Sequence, residues 1–321
     1  MTTPSPAGSA RPASPALLAA ARSVAVAAAE AAGALLRARL GGSGGPGGSG
    51  GEVPGVRLKD AAGDVVTELD VAAEALILER LRAAFPGHRI IAEESGASGG
   101  DGGDGDGDGG LVWLVDPLDG TNNVAIGMPV YAVGLALCAD SVPVLGVVHD
   151  PVSGRTWSAV RGEGTLGPAG KPLLLDGPGR PGRSENPVLA WTQGHPVGRR
   201  DPVAFLLRSR LEARCGRLLQ LWAPLVAWTM LARGDIDGIV GYRPEMVDLP
   251  AGALLAAEAG AELRGLDGSP YEACLGRSPA ELSFVAARPA LLDRLLETTA
   301  GAPDLARDAA GWPDGGFRVL W

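Results

Sequence analysis

Hydrophobic positions recur with a helical period in two stretches of the first half of the chain. Residues 16–40, rich in Ala and Leu, predict a helix. A second helical pattern begins at Asp70, which we expect to be its N-cap, and stops at Pro86-Gly87. The apolar positions expected on one face of this helix are Val71, Ala75, Leu78, Leu81 and Phe85. Apolar runs predict strands at 89–92, 111–115, 130–138, 142–148 and 155–160, the last three as an antiparallel meander.

Strand and helix patterns alternate in the second half. Strands are predicted at 187–191, 236–240 and 283–287, and helices at 201–213, 224–233, 249–259 and 289–298. This alternation indicates a mixed α/β domain. The Gly- and Pro-rich stretch 161–187 marks a boundary, so we expect an α+β half over 15–180 and an α/β half over 181–321.

Three segments lack the hydrophobic spacing of a packed core. Residues 1–14 are rich in Pro, Ser and Ala and are expected to be disordered, and the Gly-rich insertion 41–51 is expected to be a flexible linker. The Gly- and Asp-rich insertion 96–110 is interpreted as a solvated loop. A calcium-binding repeat is the alternative for this insertion, although the regular spacing of such repeats is missing.

Charge and composition limit the classes of function. The formal net charge is −9, which argues against a nucleic-acid-binding protein but not against a phosphorylated substrate. Four charges interrupt the helix at 16–40, so a core helix is expected rather than a membrane span or signal peptide. Three scattered Cys and three scattered His form no metal-binding pattern, and a reducing cytoplasm fits. Any metal would therefore be held by carboxylates, as Mg²⁺, Mn²⁺ and Ca²⁺ are.

The segment 111–124, LVWLVDPLDGTNNV, combines an apolar strand with two carboxylates. Pro117 is expected to end the strand, which would place Asp116 and Asp119 on a tight turn. The residues after Gly120 suit the first turn of a helix, where free N–H groups bind phosphate. The alternative is an Asp-rich turn that only caps a helix.

Acidic residues elsewhere share the same placement at the ends of predicted strands or the starts of predicted helices. They are Asp70, Glu93 and Asp248, in addition to the pair at Asp116 and Asp119. Such positions can converge on one edge of a layered α/β fold, where five carboxylates would repel one another unless cations lie between them. The alternative is a set of separate N-caps and loop acids, and spacing alone leaves both interpretations open.

Four motifs occur in the order and spacing of one known family. They are D-V-V-T-x-x-D at 64–70, A-E-E-S at 92–95, D-P-L-D-G-T-x-N at 116–123, and D-x-x-A-G with a later E-A-G between 248 and 260. Together they resemble the inositol monophosphatase family of Mg²⁺-dependent, lithium-sensitive phosphatases, over about residues 16 to 300. This superfamily also includes fructose-1,6-bisphosphatases and 3′(2′),5′-bisphosphate nucleotidases. The resemblance implies an αβαβα sandwich with the active site between the two halves.

The resemblance also implies roles for individual residues. Two or three Mg²⁺ ions are expected, for which Mn²⁺ can substitute. The implied ligands are Glu93, Asp116 and the Leu118 carbonyl for the first ion, and Asp116, Asp119 and Asp248 for the second, with a weaker third ion near Glu93 and Asp70. Asp70 and Thr121 are implied to orient and deprotonate the attacking water. The implied phosphate and substrate contacts are Lys59, Gly120, Thr121, Asn122, Trp222 and Gly241.

Three positions depart from the family pattern where its members contact the sugar. Trp222-Ala223-Pro224 replaces a Gly-(Ser/Thr)-Ala turn, Gly241 replaces an acidic residue, and Val247 replaces a Trp. We expect Trp222 to form an apolar wall that disfavours inositol 1-phosphate and favours a phosphorylated nucleoside or another less polar substrate. The alternative is that Trp222 is a buried packing residue and that Glu245 serves as the hydroxyl acceptor.

The predicted function is Mg²⁺-dependent hydrolysis of a small inositol, sugar, polyol or nucleoside phosphate by a cytoplasmic homodimer. No membrane or nucleic-acid polymer is expected as a partner. Two alternatives remain, namely a 3′(2′),5′-bisphosphate nucleotidase and a catalytically silent homologue that binds a phosphorylated ligand.

Overall fold

The computed structural model describes residues 13–40, 57–58, 65–99, 110–175, 185–198 and 201–301. Its helices are α1 (Pro15–Leu40), α2 (Glu68–Ala84), α3 (Thr121–Ala125), α4 (Pro202–Glu212), α5 (Pro224–Ala232), α6 (Pro250–Glu258) and α7 (Pro289–Thr299). Its strands are β1 (Arg57–Leu58), β2 (Val65–Val66), β3 (Arg89–Ala92), β4 (Gly96–Ser98), β5 (Leu111–Asp119), β6 (Ala132–Ala139), β7 (Val142–Asp150), β8 (Arg155–Val160), β9 (Gly164–Leu166), β10 (Pro172–Leu173), β11 (Val188–Gln193), β12 (Arg217–Leu219), β13 (Gly238–Tyr242), β14 (Glu262–Gly265) and β15 (Phe284–Ala287). The predictions for 1–12, for the linker at 41–51 and for 100–109 of the acidic insertion lie outside the described residues.

Two large sheets account for most of the described strands. The first has the order β10-β9-β8-β7-β6-β5-β3-β4 and is antiparallel except where β3 runs parallel to β5. The second has the order β12-β11-β13-β15-β14, with β11 parallel to both of its neighbours. The predicted meander is confirmed, because β6, β7 and β8 pair in sequence and antiparallel.

Helices fill three layers around these sheets. Helices α1 and α2 cover one face of the first sheet, and α5 and α6 lie between its other face and the second sheet. Helices α4 and α7 cover the outer face of the second sheet. The resulting αβαβα order confirms the fold that the sequence predicted.

Helix α1 packs through a stripe of small residues. Its buried positions are Ala21, Ala25, Ala28, Ala29, Ala32, Gly33 and Leu36. Because these side chains are short, α1 lies close to α2 and to β7. Among the described helices, α1 alone has the length and apolar character of a membrane span, and a third of that span is buried against the protein.

Helix α2 corrects two expectations. Its N-cap is Thr67, and Asp70 is instead the third helical residue, paired with Thr67 in a capping box. Its buried apolar face is formed by Leu69, Ala73, Ile77, Leu78 and Leu81. Val71, expected on that face, is 49% exposed.

Several short strands were not predicted from the sequence. They are the pair β1–β2, the edge strands β4, β9 and β10 of the first sheet, and β12 and β14 of the second. The segment after residue 161 was expected to mark a boundary, but β9 and β10 extend the first sheet there. The division into halves at 180 and 181 stays a prediction, since 176–184 lie outside the described residues.

Candidate active site

Strand β5 carries both aspartates of the D-P-L-D motif. The expectation that Pro117 ends the strand was wrong, because β5 continues to Asp119. Asp116 pairs with Gly134 of β6 and Asp119 pairs with Ala132, so β5 contains one extra residue between them. Such a bulge bends a strand and redirects its side chains, and here both carboxylates are buried.

Gly120 joins this strand to α3. Its φ of 96° lies in the left-handed region, which glycine adopts without steric cost. A Cβ at this position would lie 2.8 Å from the Val130 carbonyl oxygen and 3.1 Å from the Ala223 methyl group. The D-G-T turn therefore requires glycine both for its backbone and for close packing against two other segments.

Acidic side chains from separate parts of the chain meet beside this turn. One carboxylate oxygen each from Asp116, Asp119 and Asp248 lies within 4.8 Å of the others. Asp248 comes from the segment between β13 and α6, and the first two come from β5. Glu93 follows β3, where its backbone N–H donates to the Val115 carbonyl at 3.1 Å, and its negative charge acts on Asp116. Of the five acids that were predicted to converge, the structure brings Asp116, Asp119 and Asp248 together, and Glu93 lies close enough for its charge to act on Asp116.

Burial and mutual repulsion both raise the pKa values of the central acids. Burial is the larger cause of a pKa for Asp116 well above its usual range, followed by the charges of Glu93, Asp119 and Asp248. Burial also raises the pKa of Asp119 to about 8, although the Leu225 N–H group opposes this. The site therefore holds negative charge poorly unless a cation is present.

The donor atoms suit a hard divalent cation. Asp116 Oδ1 accepts from the Leu118 N–H at 3.1 Å, whereas its buried Oδ2 has no hydrogen-bond donor among the described residues. An orphaned carboxylate oxygen in a cluster of carboxylates is the arrangement that a bound cation would satisfy. Oxygen-only ligands fit Mg²⁺, Mn²⁺ or Ca²⁺ rather than Zn²⁺.

A buried Thr–Asp pair lies next to the acidic cluster. Thr121 Oγ1 lies 2.7 Å from Asp70 Oδ1 and 2.9 Å from the Leu118 carbonyl oxygen. Asp70 Oδ2 accepts from both the backbone N–H and the hydroxyl of Thr67, at 2.8 and 2.5 Å. The structure thus brings together the two residues predicted to act on water, although they are separated by 51 positions in the chain.

Three supporting residues had no role predicted from the sequence, although two of them, Thr67 and Asn123, lie in the family motifs. Thr67 fixes Asp70, and its T-x-x-D spacing with Asp70 is a readable capping signal. Glu74 is buried and accepts from the N–H groups of Glu94 and Ser95. Asn123 is buried and donates from Nδ2 to two carbonyl groups in different segments. For Asn123, the one sequence signal was its position in the D-G-T-N-N run.

The remaining predicted contacts lie in different surroundings. Lys59 is outside the described residues, and Asn122 is half-buried on α3. Trp222 is 63% exposed, so the alternative that it is a buried packing residue was wrong. Gly241 is buried in β13, where a Cβ would lie 2.2 Å from the Phe284 ring. Glu245 is half-buried, and its carboxylate accepts from the His195 N–H at 3.2 Å.

Known proteins are similar in sequence to this chain over most of its length. The sequence profile of the inositol monophosphatase family matches residues 18–303. The Nus factor SuhB of Pasteurella multocida is 32% identical over 206 residues, covering 62% of this chain and 71% of that protein. The inositol-1-monophosphatase of Synechocystis sp. is 32% identical over 246 residues, covering 71% and 76%.

Solved structures agree on the fold. The extragenic suppressor protein SuhB of Bartonella henselae superposes with a TM-score of 0.73 at 24% identity, covering 88% of this chain and 98% of that one. At this identity the similarity supports the shared architecture alone. The profile match spans the acidic cluster, the Thr–Asp pair and both sheets. The chain therefore belongs to the inositol monophosphatase family.

Proposed function

We propose that this protein is a Mg²⁺-dependent phosphatase that hydrolyses a small phosphate monoester. The observation that carries the proposal is that one bulged segment of β5 and α3 holds Asp116 and Asp119 of the acidic cluster together with Thr121, whose hydroxyl lies 2.7 Å from the buried Asp70 carboxylate. Hydrolysis of such an ester requires a cation site, a phosphate site and a proton acceptor next to one another.

The acids divide into two proposed ligand sets. Glu93, Asp116 and the Leu118 carbonyl would hold one Mg²⁺, and Asp116, Asp119 and Asp248 would hold another. A third, weaker ion is proposed near Glu93 and Asp70, and Mn²⁺ is expected to replace Mg²⁺. When bound, the ions would neutralise the phosphate and make a water molecule more acidic. The N–H groups of Gly120 and Thr121, with Asn122, are proposed to hold phosphate oxygens.

Thr121 and Asp70 are proposed to orient the attacking water and accept its proton. When the Thr121 hydroxyl donates to Asp70 Oδ1 at 2.7 Å, the lone pairs of Thr121 Oγ1 can accept from water. As the water oxygen attacks phosphorus, its proton passes to Thr121 Oγ1 and the Thr121 proton passes to Asp70. The bond from phosphorus to the ester oxygen breaks at the same time, and the departing alkoxide takes a proton from solvent water. Thr67 fixes the other oxygen of Asp70, so the acceptor keeps its position during this transfer.

A binding role without catalysis is the main competing function. One similar protein is named a Nus factor, so family membership by itself does not separate an enzyme from a binding protein. The Thr121–Asp70 pair favours the enzyme, because a protein that only binds phosphate needs no buried proton acceptor beside its ligand.

Release of phosphate from a panel of monoesters, with and without Mg²⁺, tests the proposal. We expect release to require the cation. Thr121→Val or Asp70→Asn should lower kcat by about two to four orders of magnitude with little change in KM. Thr165→Val is the matched control, since Thr165 is also a buried threonine that donates to a carbonyl, that of Leu255.

Two outcomes would overturn this assignment. Metal-independent release would remove the role of the acidic cluster. Full activity of the Thr121→Val variant would remove the role of the Thr–Asp pair. Binding of phosphate esters without any release, in the wild-type protein, would instead support the silent homologue.

A 3′(2′),5′-bisphosphate nucleotidase is a second candidate, favoured by the exposed indole of Trp222 near the site. Hydrolysis of adenosine 3′,5′-bisphosphate well above that of inositol 1-phosphate would identify it. We further propose that the protein is a cytoplasmic homodimer inhibited uncompetitively by lithium. Light scattering and steady-state kinetics with Li⁺ test the dimer and the inhibition.

A further inference from the structure

Residues 221–225, which lead into the first turn of α5, are attached to Asp119 of the acidic cluster and to the adjoining residues 120–123 at three points. The Leu225 N–H donates to Asp119 Oδ2 at 2.7 Å, and the Leu221 carbonyl accepts from Asn123 Nδ2 at 2.7 Å. Between them, the methyl group of Ala223 packs against Gly120. Trp222 therefore has its backbone fixed beside the proposed cation and phosphate sites.

Trp222 combines a strained backbone with an exposed side chain. Its φ of 54° lies in the left-handed region, which costs a tryptophan about 1 kcal/mol or more. Its side chain is 63% exposed, so core packing does not repay this cost. The three attachments of the surrounding segment hold the strained residue in place, with its indole largely open to solvent.

The segment after α3 also carries exposed apolar side chains. Asn123 Nδ2 also donates to the Val130 carbonyl at 2.7 Å, so one side chain joins the segment after α3 to the segment before α5. In the segment after α3, Ile126 is 77% exposed and Met128 is 37% exposed. We name Ile126, Met128 and Trp222 the apolar rim, because they are the exposed apolar side chains of the two segments that the Asn123 amide joins.

Position 241 in β13 offers no side chain for hydroxyl groups. The space that a side chain would enter there is occupied by the Phe284 ring, which is fully buried. A polyol whose hydroxyls lose water without gaining partners binds poorly, at a cost of about 1–3 kcal/mol for each unpaired group. A planar ring loses nothing of this kind and stacks on an indole.

We propose that the apolar rim selects phosphate monoesters whose alcohol carries a planar aromatic ring, which stacks on Trp222. This inference rests on the proposed phosphatase function, because the rim is placed relative to the acidic site. Trp222 is the specificity-determining residue, and Asn123 is a positioning residue that holds the two sides of the rim together.

Matched substrates test the selection. Benzyl phosphate and cyclohexylmethyl phosphate have nearly the same size, but only the first has a planar ring. We expect kcat/KM to favour benzyl phosphate over both its cyclohexyl counterpart and inositol 1-phosphate, by about tenfold or more. Trp222→Ala should abolish most of the preference for the planar ring through KM, and Trp222→Phe should retain it. Phe205→Ala, at an aromatic residue that is 47% exposed on α4, is the control and should leave the preference intact.

The Asn123→Ala variant separates positioning from structure. It should lower the preference for benzyl phosphate while the thermal unfolding temperature falls only modestly. A folded Asn123→Ala variant that keeps the full preference would remove the positioning role of Asn123. Equal turnover of the benzyl and cyclohexylmethyl esters, or a wild-type preference for inositol 1-phosphate, would overturn the rim proposal.

Binding measurements distinguish failure of the rim from failure of the phosphatase function. Calorimetry with benzylphosphonate and cyclohexylmethylphosphonate in Mg²⁺ reports selection without hydrolysis. Trp222-dependent preference for the benzyl compound in a protein that hydrolyses no ester would support the rim and overturn the phosphatase proposal. Hydrolysis without any aromatic preference, in turnover or in binding, would do the reverse.

Discussion

Glu74 offers a sharp test of how the site is held together, because it touches none of the reacting groups. Its carboxylate is 4% exposed and accepts two backbone hydrogen bonds, from Glu94 N–H at 2.8 Å and from Ser95 N–H at 3.0 Å. These two residues directly follow Glu93 in the chain. Glu74 therefore fixes the turn that presents the Glu93 carboxylate to Asp116.

The substitution Glu74→Gln keeps the shape and removes one acceptor. The amide presents one oxygen and one NH₂ group to two N–H donors, so one donor is left buried and unsatisfied, at about 1–3 kcal/mol. The remaining bond loses its charge assistance, which roughly halves its strength. We expect a loss of about 2–4 kcal/mol in unfolding free energy. We also expect about 10- to 100-fold weaker Mg²⁺ binding, as for lost support behind a metal ligand.

Urea unfolding of the metal-free protein and calorimetric Mg²⁺ titration measure the two effects. Glu79→Gln is the matched control, because Glu79 is exposed on the same helix and its substitution should change stability by less than about 0.5 kcal/mol. Wild-type stability and Mg²⁺ affinity in Glu74→Gln would refute this reasoning. Reduced stability with unchanged Mg²⁺ affinity would show that Glu74 supports the fold but not Glu93.

Three further predictions concern the metal site and the core. Asp116→Asn should abolish Mg²⁺-dependent turnover while circular dichroism stays native, and near-normal turnover would contradict the shared-ligand role. Burial raises the pKa of Asp119 to about 8, so the metal-free fold should lose stability as pH rises from the ordinary range of an aspartate towards 8. For the same reason Mg²⁺ binding at pH 7 should release protons and tighten up to about pH 8, as calorimetry in two buffers would show. Gly33→Ala should lower the melting temperature, despite the helix propensity of alanine, because its Cβ would lie 2.3 Å from the His149 ring.

Elements of the first sheet were predicted well where apolar runs end at clear breakers. The strands at 89–92 and 155–160 match β3 and β8, and the meander was found because each run is followed by turn residues. Short strands such as β12 were missed, because three partly exposed residues carry no usable alternation. Pairing with a neighbouring strand defines such elements, and that information lies elsewhere in the chain.

The error in α2 has a physical cause. Its buried face includes Asp70 and Glu74, two polar residues held by hydrogen bonds rather than by hydrophobic burial. A pattern that treats buried positions as apolar therefore shifted the predicted face towards Val71. The predicted apolar face of α2 was therefore wrong beside Asp70 and Glu74, which support the candidate site. Hydrophobic patterns are expected to fail at such positions, because function places buried polar residues there.

The candidate site was predictable in its chemistry but not in its backbone. Carboxylates at strand ends and helix starts indicated a hard cation, and the motif order indicated which acids meet. The bulge between Asp116 and Asp119 depends on the register with β6, and the exposure of Trp222 depends on three contacts from distant residues. Neither follows from local spacing, because each is imposed by tertiary packing.

One rule connects Asp116 and Asp70: the protein fixes one oxygen of the carboxylate and directs the other to chemistry. Asp116 Oδ1 accepts from Leu118 N–H, and its Oδ2 is the orphaned atom. Asp70 Oδ2 is fixed by Thr67, and its Oδ1 faces the Thr121 hydroxyl. Asp119 Oδ2 accepts from the N–H group of Leu225, which lies three residues after Trp222 in the chain. Because Asp119 is also a proposed cation ligand, one carboxylate links the proposed cation site to one of the three attachments that hold Trp222.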